Sequence, residues 1–275
     1  MNLKILTIAI ALSTTLSATA QKKGKVKTKR PTTTAVESPG LKLYKSMIPS
    51  TAKLMFVDSV VVDKKEFLSQ IPLISEAGKL TMRDAHHSQY LNEFGDRWIF
   101  AHGDSTSSAL YSADKLADKW SSPTPLFKKS EGVERANYPF LMADGVTLYF
   151  AAQGENSMGG YDIFMSTFDL DNGVFYSPEN IGLPYNSTAN DYLLAIDDIN
   201  HLGWLVTDRR QPEDKVCIYT FVPTASRQGF EDTNLTDHEI ERYSRILSIS
   251  DTWKFGNRKA ALAKLSDIKK RIASK

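Results

Sequence analysis

This chain of 275 residues has a formal net charge of only +2 and a single cysteine, Cys217. One cysteine excludes a scaffold stapled by internal disulfides. Its apolar surroundings in "KVCIYTF" predict a small buried core residue rather than a reactive thiol. The length is enough for one large β domain with an appendage.

The N-terminal twenty residues are typical of a secretory signal peptide. Lys4 gives a positive start, residues 5–16 are mostly apolar, and residues 18–20 form an A-x-A cleavage site before Gln21. The alternative is a buried N-terminal helix. The apolar stretch is too short to span a bilayer comfortably, and we expect no transmembrane span elsewhere. Residues 1–20 therefore predict export to the periplasm or outside the cell.

Charge is distributed unevenly along the chain. Residues 1–30 contain seven basic residues and no acidic one, so the remainder carries 2 − 7 = −5. An acidic body outside the cytoplasm makes nucleic acid an unexpected partner. Residues 21–40, "QKKGKVKTKRPTTTAVESPG", predict a basic disordered linker, which could touch lipid headgroups or cell-wall polymer.

The middle of the chain repeats with a period of about fifty residues, the length of a four-stranded propeller blade. Each copy has a strand, a turn, a second strand and a strand with apolar residues at consecutive positions. The copies cover residues 89–114, 136–169 and 190–221, with a fainter one at 53–73.

The strand in "GGYDIFMSTFD", residues 159–169, decides the architecture. Ile163 and Met165 lie on one side of an extended chain, and Phe164 and Phe168 lie on the other. A strand that is apolar on both sides needs cover on both sides. Blades of a propeller give their inner strands this cover, so the pattern predicts a propeller.

The same unit resembles the WD40-like propeller repeats of the TolB type, which occur in exported proteins of Gram-negative bacteria. The resemblance covers residues 89–223, about half of the chain, and the first unit lacks the G-G-Y-D-I-F step. Asp208-Arg209 resembles the S-D-R step that often follows the second strand of such a repeat. The motifs that carry the resemblance most clearly are Tyr138-Pro139, Asp144-Gly145, Leu148-Tyr149-Phe150, Gly159 to Phe164, and Pro178 to Ser187.

We therefore expect an all-β fold, a small propeller of about four blades over residues 41–224. Strand pairs and inner strands give different repeat counts, so one blade could be built jointly by the two chain ends. An open ring would be completed by a partner, which could be a second copy of the chain.

Residues 225–275 predict a C-terminal helical tail. Thr236 and Glu239 have the spacing of a capping box. In the last segment a helical stripe then follows, made of Leu262, Leu265, Ile268 and Ile272. We expect this tail to pack on its own domain, although such a helix could also bind a partner or a membrane.

Several motifs resemble catalytic or metal sites but fail on spacing. "GENSMG" has one residue too many for a nucleophile elbow, and "DLDNG" is too short for an EF-hand loop. His86, His87, His102 and Asp104 form the one histidine cluster, but adjacent histidines on a strand point in opposite directions. We expect no metal and no cofactor.

The sequence thus predicts a non-enzymatic interaction module of the cell envelope, with an envelope protein or a cell-wall polymer as its partner. The alternative is a propeller-type carbohydrate-active hydrolase, such as a sialidase or glycosidase, for which "RR" at 209–210 and many tyrosines offer partial support. The binding residues that we predict lie near strand ends and are Tyr138, Tyr161, Asp162, Tyr192, Asp208 and Arg209.

Overall fold

The computed structural model describes residues 37–104, 106–128 and 131–274. The predicted signal peptide, and the predicted linker up to residue 36, lie outside these residues. The described chain is mostly antiparallel sheet, with helices at its two ends and one short helix between the first two strands. The helices are α1 (Pro39–Met47), α2 (Phe67–Gln70), α3 (Asp237–Ser244) and α4 (Arg258–Ala273).

The strands follow the predicted units closely. In chain order they are β1 (Met55–Asp63), β2 (Lys79–Met82), β3 (Ser88–Leu91), β4 (Arg97–Gly103), β5 (Ser108–Leu116), β6 (Lys119–Trp120), β7 (Thr124–Pro125), β8 (Val133–Leu141), β9 (Thr147–Gly154), β10 (Asp162–Asp169), β11 (Val174–Phe175), β12 (Glu179–Asn180), β13 (Asp191–Asp197), β14 (Leu202–Thr207) and β15 (Lys215–Val222).

Within the described ranges these strands form three sheets. Sheet I has the order β2-β3-β4-β5-β6, with β7 also beside β5. Sheet II has the order β11-β10-β9-β8, with β12 also beside β10, and sheet III has the order β1-β15-β14-β13. About four blades were expected from the sequence, whereas the described residues form three sheets. The difference arises because residues 53–73 do not form a sheet of their own. They supply β1, which joins sheet III, and the short helix α2.

Sheet III is built by both ends of the described chain. Strand β1 pairs antiparallel with β15, from Met55 opposite Val222 to Asp63 opposite Lys215. Phe56 and Phe221 lie side by side in this pairing and are 1% and 0% exposed. Burying one such side chain contributes about 1.5–3 kcal/mol, so the pairing ties the two ends together.

The sheets pack on one another face to face. Strand β8 of sheet II lies against β3, β4 and β5 of sheet I, while β13 of sheet III lies against β8, β9 and β10. As a result Ile163 and Phe164, neighbours on β10, are 0% and 1% exposed. The prediction that this strand is covered on both sides is confirmed.

The C-terminal tail packs on sheet III. Thr236 and Glu239 form the predicted capping box at the start of α3. Beyond it, the Trp253 indole donates to the Phe56 carbonyl at 3.1 Å, and the Arg258 guanidinium donates to the Val57 carbonyl at 2.9 Å. Helix α4 also lies against β1. None of the helices in the described ranges combines the length and apolarity that crossing a membrane requires.

Candidate functional site

Four aromatic rings meet where β13 begins and where a bulge interrupts β8. The ring centroids of Tyr138, Tyr161 and Tyr192 lie 5.8–6.4 Å apart. Phe67 of α2 lies 5.3 Å from Tyr138 and 6.1 Å from Tyr192. We call these four residues the tyrosine cluster. The structure thus brings together three of the six predicted binding residues, and a fourth, Asp208, accepts a hydrogen bond from Tyr192.

An unusual backbone conformation positions Tyr138 in this cluster. Its φ is 52°, in the left-handed region that aromatic residues rarely adopt. Its amide donates to the Ser88 hydroxyl at 2.8 Å and to the Asn137 side-chain oxygen at 2.9 Å. Such a conformation costs on the order of 1–3 kcal/mol and is enriched at ligand sites, which makes the cluster a candidate binding site.

A charged network borders the cluster beside Tyr192. The Tyr192 hydroxyl donates to Asp208 at 2.9 Å, and the Lys64 ammonium lies 3.0 Å from the same carboxylate oxygen. Lys64 also lies 5.4 Å from the centre of the Tyr192 ring. Burial acts to raise the pKa of Asp208, but hydrogen bonds from Asn190, Lys64 and Tyr192 outweigh it and lower the pKa. Asp208 is therefore ionised at neutral pH.

The other border is formed by Arg135. Its guanidinium lies 5.7 Å from the Tyr161 ring centre and donates to the Gln153 side-chain oxygen at 3.2 Å. Burial raises the pKa of Tyr138 to about 12. Within the described ranges the Tyr138 hydroxyl has no hydrogen-bond partner, so it is a polar group available to a ligand.

Asp162 does not belong to this surface. It is 0% exposed, and its carboxylate accepts hydrogen bonds from the Met158 amide at 2.8 Å and from the Asn180 side chain at 2.7 Å. Burial, followed by the charge of Asp191, raises its pKa to about 7. Asp162 holds the loop before β10 in place, and its carboxylate is not exposed at the surface of the cluster.

Arg209 is also internal. It is 3% exposed and pairs with Asp191 at 2.6 Å, while Asp191 is 0% exposed. The same guanidinium donates to the carbonyls of Pro184 at 3.0 Å and Tyr185 at 2.8 Å. With its donors engaged inside the protein, Arg209 ties the loop before β13 to the end of β14, and it cannot contact a ligand.

Tyr138 and Tyr161 are half-buried, whereas Phe67 and Tyr192 are 3% and 8% exposed, so the groups that a ligand can reach are the two half-buried tyrosines together with Lys64 and Arg135. Cations beside aromatic rings bind flat or anionic groups of a partner. No family model, curated protein or solved structure matches this chain. The chemistry of the residues therefore has to carry the functional conclusion alone.

The motifs that resembled catalytic or metal sites have structural roles. The His87 ring nitrogen lies 2.9 Å from the Asp84 carboxylate, and Asp104 accepts from the Thr106 amide at 2.7 Å inside its own loop. Asp169 accepts from the Asp171 amide at 2.9 Å in the "DLDNG" turn. Within the described ranges no group of three or more His, Cys, Asp or Glu side chains is placed to hold a metal ion.

The sequence analysis missed Lys64, Phe67 and Arg135. Lys64 and Phe67 belong to the segment 53–73, which reads as a faint repeat and not as part of a site. Arg135 lies in the first half of β8, before the motif that drew attention to Tyr138. A search for basic residues close in sequence to each selected tyrosine would have found Arg135, which precedes Tyr138 on the same strand, but only the fold brings α2 to the cluster.

A cleft of about 540 Å³ lies away from the cluster, between the end of α1 and sheets II and III. Tyr149 and Tyr185 line it, and burial raises the pKa of both. Arg227 at its rim donates to the Ser50 carbonyl at 2.8 Å and to the Leu183 carbonyl at 2.9 Å. The cleft is therefore formed by the same contacts that fasten the chain ends to the sheets.

Proposed function

We propose that this chain is an exported, propeller-like module of the cell envelope that binds a partner without catalysis, through the tyrosine cluster. The observation that carries the proposal is the hydroxyl of strained Tyr138, which has no hydrogen-bond partner among the described residues and lies among three other rings, between Lys64 and Arg135. Ring edges and cations together suit a polar partner, an envelope protein or a cell-wall polymer.

Two features support a propeller-like architecture of the TolB type. The sheets stack face to face, and β1 from the N-terminal side completes the sheet made by β13, β14 and β15. In a closed ring of repeats, strands from the two chain ends pair in one sheet, and this pairing keeps the ring from opening.

Burial of the acids favours a binding module over a carbohydrate-active hydrolase. A glycosidase needs two carboxyl groups that reach the substrate. Asp162 and Asp191 are the buried acids whose charges interact, and both are 0% exposed. Their oxygens are occupied by Asn180 and Arg209, which is the environment of internal supports.

The binding role is tested by cross-linking in intact cells. A photoreactive amino acid replaces Lys65, the exposed neighbour of Lys64, so that Lys64 itself is kept, and the adducts are identified by mass spectrometry. We expect one major adduct, which the added substitution Tyr161→Ala reduces. The matched control places the photoreactive group at Lys259, an exposed position of α4. Equal adducts from both positions, or none from position 65, would contradict the proposal.

Export is tested separately, by the mass of the chain recovered from the periplasm or the medium. Cleavage before Gln21 should remove residues 1–20. An intact chain that stays in the cytoplasm would reject export and leave the binding experiment unaffected.

A further inference from the structure

The outward face of sheet I carries a small aromatic recess that the proposed site does not use. It has a volume of about 270 Å³, and Trp120 at its edge is 40% exposed. The residues that line it come from β2, β3, β4 and β6 and are Lys79, Thr81, Gln89, Leu91, Trp98 and Trp120. We call this surface the tryptophan face.

The indole rings on this face are held in fixed positions. Trp98 stacks on Phe100 with ring centroids 4.1 Å apart, and Trp120 meets Trp98 edge-on at 5.8 Å. The Trp98 indole donates to the Gln89 oxygen at 3.1 Å, and the Gln89 amide donates to the Thr81 hydroxyl at 3.1 Å. Rings that are already ordered lose little entropy when a ligand stacks on them.

The charge on the tryptophan face is positive. Lys79, Thr81 and Arg83 alternate along β2 and its end, so they share one side of the sheet. The Arg83 guanidinium lies 4.8 Å from the Phe100 ring centre and donates to the Ala101 carbonyl at 2.9 Å. None of the residues lining the recess is acidic, and in the described ranges neither Lys79 nor Arg83 forms an ion pair.

We propose that the tryptophan face binds an acidic polysaccharide. The apolar side of a sugar ring stacks on the indoles of Trp98 and Trp120, as flat C–H surfaces do on aromatic rings. Carboxylates along the polymer pair with Lys79 and Arg83, and sugar hydroxyls reach the Thr81 hydroxyl. This inference goes beyond the proposed function, because it places a polymer ligand at a second surface, outside the tyrosine cluster.

Charge distinguishes this occupant from the chain's own N-terminal segment. Residues 22–30 carry six basic residues and no acidic one, so a basic face repels them. A second copy of the acidic body is the remaining candidate. Light scattering of the same protein shows whether a second copy binds.

The test is affinity electrophoresis of the mature protein in gels containing polygalacturonate or alginate, with dextran as the neutral control polymer. We expect retardation by at least one polyuronate, none by dextran, and loss of retardation in high salt. Trp120→Ala and Lys79→Gln should each raise the dissociation constant about tenfold. Leu170→Ala removes an equally apolar side chain, 76% exposed in the turn after β10, and should have no effect.

Several results would overturn the inference. These are no retardation by either polyuronate, equal retardation by dextran, or unchanged binding by both face variants. A dimer in light scattering that Trp120→Ala dissolves would assign the face to a second copy instead. Lys65 and Tyr161 lie outside the tryptophan face. Cross-linking from position 65 without any polyuronate binding would therefore reject this inference and leave the proposed function standing.

Discussion

Asp208 and Arg209 are neighbours in one sequence motif, but their side chains lie in two different regions of the molecule. Arg209 lies inside the protein, 3% exposed, and pairs with the fully buried Asp191 at 2.6 Å. Asp208 lies at the border of the tyrosine cluster and pairs at 3.0 Å with Lys64, whose side chain is 30% exposed. Both are ion pairs of good geometry. Burial, more than distance, decides which one supports the fold and which one can exchange its partner for a ligand.

The largest effect is expected when the cation of the buried Arg209–Asp191 pair is removed. Arg209→Met leaves the buried Asp191 without its cationic partner, and it also removes donors from the Pro184 and Tyr185 carbonyls. We expect a loss of about 3–5 kcal/mol in the free energy of unfolding. Urea denaturation of the purified protein measures it.

The matched control is Arg245→Met. Arg245 forms a pair with Glu241 at 3.9 Å in which the arginine side chain is 53% exposed. This change should cost less than about 1 kcal/mol. Equal costs for Arg209 and Arg245 would mean that burial does not separate the two regions. The double change Arg209→Met with Asp191→Leu should recover part of the loss, because it removes the unpaired charge.

The buried region should also respond to pH through Asp162. Burial and the charge of Asp191 raise the pKa of Asp162 to about 7, above its unfolded value. Between the two pKa values the folded state holds one more proton than the unfolded state. The free energy of unfolding therefore falls as pH rises from about 4 to 7, by at most a few kcal/mol. Urea denaturation at several pH values measures the slope, and Asp162→Asn should flatten it.

Asp169 provides the opposite case for this experiment. Hydrogen bonds from Asn172 lower the pKa of its exposed carboxylate. Its contribution to stability is present above the unfolded pKa and disappears as pH falls, so Asp169→Asn should leave the slope between pH 4 and 7 unchanged. A slope that survives Asp162→Asn would place the titrating group elsewhere.

The strands were predictable from the sequence because their pattern is local. The apolar neighbours Ile163 and Phe164 predict a strand covered on both sides, and the spacing of Thr236 and Glu239 predicts the start of α3. The structure confirms both predictions. The number of sheets was not predictable, because whether β1 starts a sheet or joins β15 depends on a pairing between residues more than 150 positions apart. Composition contains no information about such a pairing.

For the same reason, the sequence could not show which of the predicted binding residues lie on one surface and which are internal. Tyr138, Tyr161 and Tyr192 occupy equivalent places near strand ends, and stacking of the sheets brings them together. Asp162 and Arg209 stand beside them in the sequence but point into the interior. Alternation along a strand separates its two sides, yet it does not say which side receives a neighbouring sheet.

The smallest effect on stability is expected at the partly exposed pair of Lys64 and Asp208. Lys64→Met removes the partner of Asp208 but keeps most of the side-chain length, and Asn190 and Tyr192 still donate to that carboxylate. The partly exposed pair should contribute only about 0.2–1 kcal/mol to the free energy of unfolding, and less at high salt. The same change should weaken partner binding clearly, because it removes one of the two cations that border the tyrosine cluster. A large loss of stability in urea denaturation would instead place Lys64 among the internal supports, beside Arg209, and would remove the distinction between the two regions.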